Sequence, residues 1–268
     1  MYLRALRGFK KALVPAFAGK SGLVQPPGWG VEGSVTPDEQ KRAAGEAAAE
    51  LVDERTFVIG LGTGSTAAWF VKALPGRVAA AGLTGRTCVA TSEATAVLAR
   101  SVGLEIIDLD QAGTIDLTVD GADEIGPGLA LIKGAGGALL REKLVWEASR
   151  RCVVIADAGK RVEMLGGRFP LPIEVVPFGH AVTLRRIVSG LADCGVASTP
   201  RLRLAGDTPF VTDNGNYIYD APCGAIVDPV GVEAALKSIT GVVDHGLFLG
   251  LAEFALVGTD AGVVRVER

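Results

Sequence analysis

The chain is poor in cysteine and histidine and has no excess of either charge. Its four cysteines, Cys88, Cys152, Cys194 and Cys223, form no C-x-x-C pair, and only two histidines, His180 and His245, accompany them. A zinc site of the usual ligand spacing is therefore not expected, and no metal is assigned. Cys88 and Cys152 fall in apolar, strand-like runs where a free buried thiol is the ordinary state, so the compartment reads as reducing. A net charge of −3 argues against a general nucleic-acid binder, which needs a basic surface to displace counterions from phosphates. It leaves room for one local basic pocket. Acids are missing from the N-terminus, where Arg4, Arg7, Lys10, Lys11 and Lys20 all precede Glu32. That stretch is too broken for a membrane span and lacks the continuous apolar core of a secretory signal. Residues 1–35 read as a basic extension, expected to be disordered and without chemistry. An organellar presequence and an upstream start codon are the other readings.

What is present is apolar bulk. With 268 residues and 49% hydrophobic content, the chain can form one large α/β domain or two small ones. Thr36, Pro37 and Glu39 form a helix start with a capping box, and an Ala-rich helix is predicted to about residue 52. Strands are predicted at 56–60, 86–90, 104–107, 115–119 and 152–156, with helices at 65–74, 93–100 and 138–150 between them. Strands alternating with helices imply a mainly parallel, Rossmann-like sheet covered on both faces, with ligands at the carboxyl ends of the strands.

After Gly166 the texture changes. A Pro-punctuated strand at 169–177 precedes a helix at 181–191. Short strands follow at 201–204 and 210–212, then an Asp213-Asn214-Gly215-Asn216 turn into 217–219, and a helix at 230–237. This pattern predicts a small α+β, ferredoxin-like domain at 166–244 with an antiparallel sheet. Residues 36–165 and 245–268 would make the Rossmann-like catalytic domain.

Four loops carry chemistry. Gly60-Leu61-Gly62-Thr63-Gly64-Ser65-Thr66 joins a strand to a helix, where glycines permit a tight turn and free N–H groups favour an anion. No Lys follows the last glycine, so it is not a Walker loop, and Ser65 replaces the third glycine of a dinucleotide fingerprint. The hydroxyls of Thr63, Ser65 and Thr66 favour a phosphate monoester over a plain strand-helix turn. Asp120, Asp123 and Glu124 cluster at a strand end, where Asp120 leaves the face opposite Val119. An acidic turn or a divalent-cation site competes with catalysis there, although calcium-loop spacing is absent. Lys133 opens a glycine-rich loop, where a cation can meet a phosphate or an enolate. Glu142, one turn into the next helix, has Ala138, Leu139, Val145 and Trp146 at helical spacing. A carboxylate among apolar neighbours has a raised pKa, which suits a general base. Lys160 closes Ala156-Asp157-Ala158-Gly159-Lys160 at another strand end, either solvated or reaching the same crevice. The two histidines have no acid-nucleophile partners in sequence and read as structural.

These segments resemble the four signatures of the ribose-5-phosphate isomerase A family, in the family's order: Gly62 to Ala68, Val119 to Glu124, Lys133 to Lys143 and Ala156 to Lys160. Phe169 to Val175, Val211 to Asn216 and Gly246 to Phe248 extend the resemblance, which runs from about Thr36 to the C-terminus. It implies an aldose-ketose isomerase of the pentose phosphate pathway, interconverting ribose 5-phosphate and ribulose 5-phosphate without metal, nicotinamide or other cofactor. Carried over, Glu142 would move a proton between C2 and C1 through an enediolate. Asp120 would shuttle a hydroxyl proton, Asp123 would assist ring opening and Lys133 would stabilise the oxyanion. Lys41, Thr63, Gly64, Ser65 and Thr66 would hold phosphate. Gly121, Ala122, Gly134, Ala135, Gly136 and Lys160 would complete the substrate site. A homodimer or higher homo-oligomer in the cytoplasm is implied, with no nucleic-acid or membrane partner. Ala135 stands where many members carry Gly, and it fits only at negative φ. Another sugar-phosphate isomerase, a coenzyme A transferase of the same fold group and a non-catalytic sugar-phosphate sensor are the competing readings.

Overall fold

The computed structural model describes residues 23–24 and 35–268. Apart from Leu23–Val24 and Val35, the basic extension lies outside the described residues. The central sheet has six parallel strands in the order Phe254–Thr259, Cys152–Asp157, Leu117–Gly121, Val58–Leu61, Thr87–Ala90 and Glu105–Ile106. Gly262–Glu267 adds an antiparallel strand beside Phe254–Thr259, and Leu23–Val24 pairs with its outer edge. The inner parallel strands are buried on both faces because helices cover them, as their continuous apolar runs require, whereas the edge strand Glu105–Ile106 is not. The helices Pro37–Ala49 and Ser65–Ala80 pack one side through Ala44, Ala48, Phe70, Val71 and Leu74, all fully buried. Trp146, on the helix Leu139–Glu147, packs with Val154, Phe248 and Ala255 in a separate cluster.

The first helix starts as expected: Thr36 accepts from the Glu39 backbone N–H, and the Glu39 carboxylate accepts from the Thr36 N–H. The helix expected to stop at Leu74 runs through Pro75 to Ala80. Pro75 forfeits one main-chain bond, but the packed face made by Phe70, Val71 and Leu74 continues in Val78. The helix expected to reach Arg150 instead ends at Glu147. There Ser149 Oγ donates to the Val145 carbonyl, while the Ile115 N–H donates to the Ala148 carbonyl and the Arg150 N–H to the Ile115 carbonyl, drawing the chain toward the sheet.

A second sheet has four antiparallel strands in the order Arg201–Leu202, Tyr217–Ala221, Leu171–Val175 and Val242–His245. The helices His180–Asp193 and Pro229–Lys237 complete a β-α-β-β-α-β order around a separate core of Ile173, Ile187, Leu191, Val232 and Leu236. This is the expected ferredoxin-like arrangement. Residues 210–212 form no strand. Thr212 Oγ1 instead accepts from the N–H groups of Asn214 and Asn216 and donates to the buried Glu174 carboxylate, a side-chain network that replaces a ladder. Among the described residues, no helix is long and apolar enough to cross a membrane.

Candidate active site

A cavity of about 220 Å³ opens at the carboxyl ends of the parallel strands. Its walls come from five segments of sequence: Lys41 on the first helix, Thr63 to Thr66, Gly121 to Asp123, Lys133 to Gly136 with Glu142, and Lys160. Every site residue that the family resemblance implied lines it except Asp120, which lies fully buried just beneath, whereas Glu124 of the acidic cluster is turned into the protein, where its carboxylate accepts from the N–H groups of Gly166, Arg168 and Phe169.

The strand Val58–Leu61 ends in the glycine turn. Gly64 adopts φ +108°, a conformation that L side chains rarely reach, and it caps the helix that begins at Ser65. Gly62 is pressed against Asp120, so that a Cβ there would overlap the Asp120 carboxylate. This close approach lets Asp120 Oδ1 accept from the N–H of Thr63 at 3.0 Å and of Gly121 at 2.7 Å. Thr63 lines the cavity, but its hydroxyl turns away from it. Thr63 Oγ1 lies 2.7 Å from Thr91 Oγ1 and 2.9 Å from Ser92 Oγ, inside a hydroxyl cluster that the sequence reading did not anticipate. Ser65 and Thr66 also line the cavity.

Lys133 is the centre of the site. It is 2% exposed; its ammonium donates to the Gly121 carbonyl at 2.6 Å and forms ion pairs with Asp120 Oδ2 at 2.9 Å and Glu142 Oε1 at 3.3 Å. The rings of Trp146 and Phe248 lie 5.6 and 5.5 Å from the same nitrogen, and Trp146 Nε1 donates to Asp120 Oδ2 at 3.4 Å. Burial opposes the charge of Lys133, yet Asp120 and Glu142 together hold its pKa above the ordinary lysine value.

Glu142 is 4% exposed, and its four helical neighbours Ala138, Leu139, Val145 and Trp146 are all buried, as the spacing required. Burial pushes its pKa up to about 8, against the pull of Lys133. Glu142 Oε2 is buried with no hydrogen-bond partner. Asp123 accepts from the Ala135 N–H at 2.9 Å, and burial raises its pKa as well. The only non-glycine residue with positive φ among the described residues is Leu129, so Ala135 takes a backbone conformation that its methyl group permits. Arg203, from the second sheet, donates to the carbonyls of Gly134 and Ala135 at 2.9 and 3.1 Å. Neither Arg203 nor Trp146 carried a functional signal in the sequence. His180 contacts Tyr219 and His245 lies in the core, both away from the cavity lining.

Comparison with known proteins places these features in a family context. A family model described as ribose 5-phosphate isomerase A (phosphoriboisomerase A) matches residues 87–262. The ribose-5-phosphate isomerase A of Caulobacter vibrioides (strain NA1000 / CB15N) is 64% identical over 233 residues, covering 87% of this chain and 100% of the relative. A ribose 5-phosphate isomerase from Plasmodium falciparum superposes with a TM-score of 0.81 at 34% identity, over 86% of this chain and 99% of its own. A D-ribose-5-phosphate isomerase in complex with phospho-erythronic acid superposes with a TM-score of 0.80 at 37% identity, over 87% of this chain and 100% of its own.

Proposed function

The chain belongs to the ribose-5-phosphate isomerase A family, and on that premise we propose that Glu142 is the base that carries a proton between C2 and C1 of the open-chain sugar phosphate. The observation that carries this reading is the buried, unpartnered Oε2 of Glu142, on a carboxyl whose other oxygen meets Lys133.

In the forward step Glu142 takes the C2 proton. The C–H electron pair becomes the C1–C2 double bond, and the carbonyl electrons move onto O1. The O2 proton is then passed to O1, with Asp123 placed to relay it; the O2–H electrons form the C2 carbonyl, and the C1–C2 double-bond pair takes back at C1 the proton that Glu142 returns. As Glu142 is protonated it loses its charge and becomes a weaker partner for Lys133. One Lys133 N–H is then released toward the oxyanion at the moment that charge forms. Asp120 acts through Lys133: it is fully buried, its Oδ1 is occupied by main-chain donors, and its charge holds the ammonium in place. Asp123, half-buried in the cavity wall with a raised pKa, is the carboxyl placed to exchange protons with sugar hydroxyls and to assist ring opening.

Ser65, Thr66 and the N–H groups of the helix start, with Lys41 and Lys160 across the cavity, make an anion site for the 5-phosphate. Gly121, Ala122, Gly134, Ala135 and Gly136 bring backbone against the sugar. A relative's structure holds phospho-erythronic acid, whose carboxylate carries paired oxygens as an enediolate does, which supports a sugar-phosphate ligand for this site. The same proposal includes assembly of two or more copies. It also includes a cytoplasmic setting, in which Cys88, Cys152, Cys194 and Cys223 stay as the free thiols seen here. The division into residues 36–165 with 245–268 and residues 166–244 belongs to it too. The transferase and sensor readings fall away with family membership.

The test is Glu142→Gln in a coupled ribose 5-phosphate to ribulose 5-phosphate assay. Loss of a positioned general base lowers kcat by about 10³-fold, with phospho-erythronic acid binding retained in titration calorimetry. A near-normal kcat would refute the assignment.

A further inference from the structure

A second buried ion pair lies behind the catalytic helix, next to Glu142 in sequence but outside the cavity. Lys143 is 8% exposed and Asp244 is 5% exposed. Lys143 Nζ donates to Asp244 Oδ1 at 2.6 Å and to the His245 carbonyl at 2.9 Å. Removing two charges from water costs more than a buried pair ordinarily returns in stability, so packing alone would favour apolar residues here. What distinguishes this pair is the segment it grips. The Gly246 carbonyl, two residues past Asp244, accepts from the Lys133 N–H at 2.9 Å. The Phe248 ring lies 4.9 Å from Lys143 Nζ and 5.5 Å from Lys133 Nζ. Gly246 has no room for a side chain, because a Cβ there would overlap the Lys133 carbonyl. One anchor, residues 244–248, therefore holds the catalytic helix through Lys143 and the Lys133 backbone through Gly246.

We propose that Lys143 and Asp244 are positioning residues that set the spacing between Glu142 and Lys133. This rests on the reading of Glu142 as the base. Proton transfer and oxyanion stabilisation use the two groups in concert, and the 3.3 Å contact between them is what the anchor maintains. Substrate grip comes from other segments, so the pair bears on kcat and leaves KM alone.

The experiment compares Lys143→Met with the double variant Lys143→Met/Asp244→Leu. In the single variant Asp244 keeps Lys237 at 3.1 Å and the His245 N–H, so its charge stays compensated. Both variants are expected to lose at least tenfold in kcat with KM within threefold of wild type. The double variant, which has no buried charge at this position, should recover thermal stability without recovering kcat. Should the single variant fail to fold, the double variant gives the same reading by itself. A kcat within twofold of wild type in either variant overturns the inference, as does a double variant that regains stability and turnover together. Glu142→Gln serves as the control. If it stays active, the reading of Glu142 fails; if it is inactive while Lys143→Met is normal, only the positioning role fails.

Discussion

A carboxyl that must act as a base is most useful when its pKa lies near the working pH, and burial brings Glu142 to about 8. Only the ionised form accepts a proton. We expect kcat/KM to rise about tenfold per pH unit on the acid side and to level off above about pH 8. A profile already flat from about pH 5 would contradict the buried base. The same shift has a consequence for stability. The folded pKa lies above the ordinary value of 4.5, so the contribution of this group is fully present below that value and is lost as pH rises through about 8. Glu142→Gln, neutral at every pH, should raise Tm by about 5 °C over wild type above pH 8, and by much less near pH 5. Thermal melts at the two pH values check this. An inactive variant that is more stable only at alkaline pH marks a charge retained for chemistry.

The sequence reading succeeded best where one element carries the signal by itself. Helical spacing placed Glu142 among Ala138, Leu139, Val145 and Trp146, and all four are buried. Strand alternation placed Asp120 at a strand end, and the capping box at Thr36 is present. Less was legible where two distant elements meet. Thr63 looked like a phosphate ligand, but its hydroxyl belongs to a cluster with Thr91, Ser92 and Thr95. Arg203 has no local motif, because its partners Gly134 and Ala135 lie on another sheet's loop. Gly62 shows the same limit. Sequence makes it a turn glycine, whereas the structure makes it the space that Asp120 occupies. Gly62→Ala should therefore destabilise the fold by about 1–3 kcal/mol through overpacking. It should also lower kcat far more than a turn change would, because the added methyl group displaces Asp120 and with it Lys133. Denaturant melts and kcat of the variant test this. Unchanged kcat would show that the turn tolerates Ala without moving Asp120.

The two larger sheets meet beside the site, and two arginines, besides the Lys143–Asp244 anchor, link them. Arg141, one residue before Glu142, donates to Glu93 Oε1 at 2.8 Å, Asn214 Oδ1 at 3.1 Å and the Asp213 carbonyl at 3.2 Å. It ties the catalytic helix to the turn of the second sheet. Arg203 works in the opposite direction, from the second sheet into the glycine loop, while Asp220 Oδ2 accepts from its Nε at 2.9 Å. The loop it holds presents the Ala135 N–H to Asp123 and carries Lys133 at its start. If the second sheet served only as bulk, Arg203→Met would cost the worth of its hydrogen bonds, about 1–3 kcal/mol, and leave turnover alone. The geometry argues otherwise. Releasing the loop lets Asp123 and Lys133 move, so kcat should fall about tenfold beyond any loss of stability. Arg203→Lys should not restore it, because a single ammonium cannot span two carbonyls and a carboxylate as the planar guanidinium does. Steady-state kinetics at a temperature where both variants remain folded separates the two accounts. Full activity in Arg203→Lys would reduce the join to simple charge pairing.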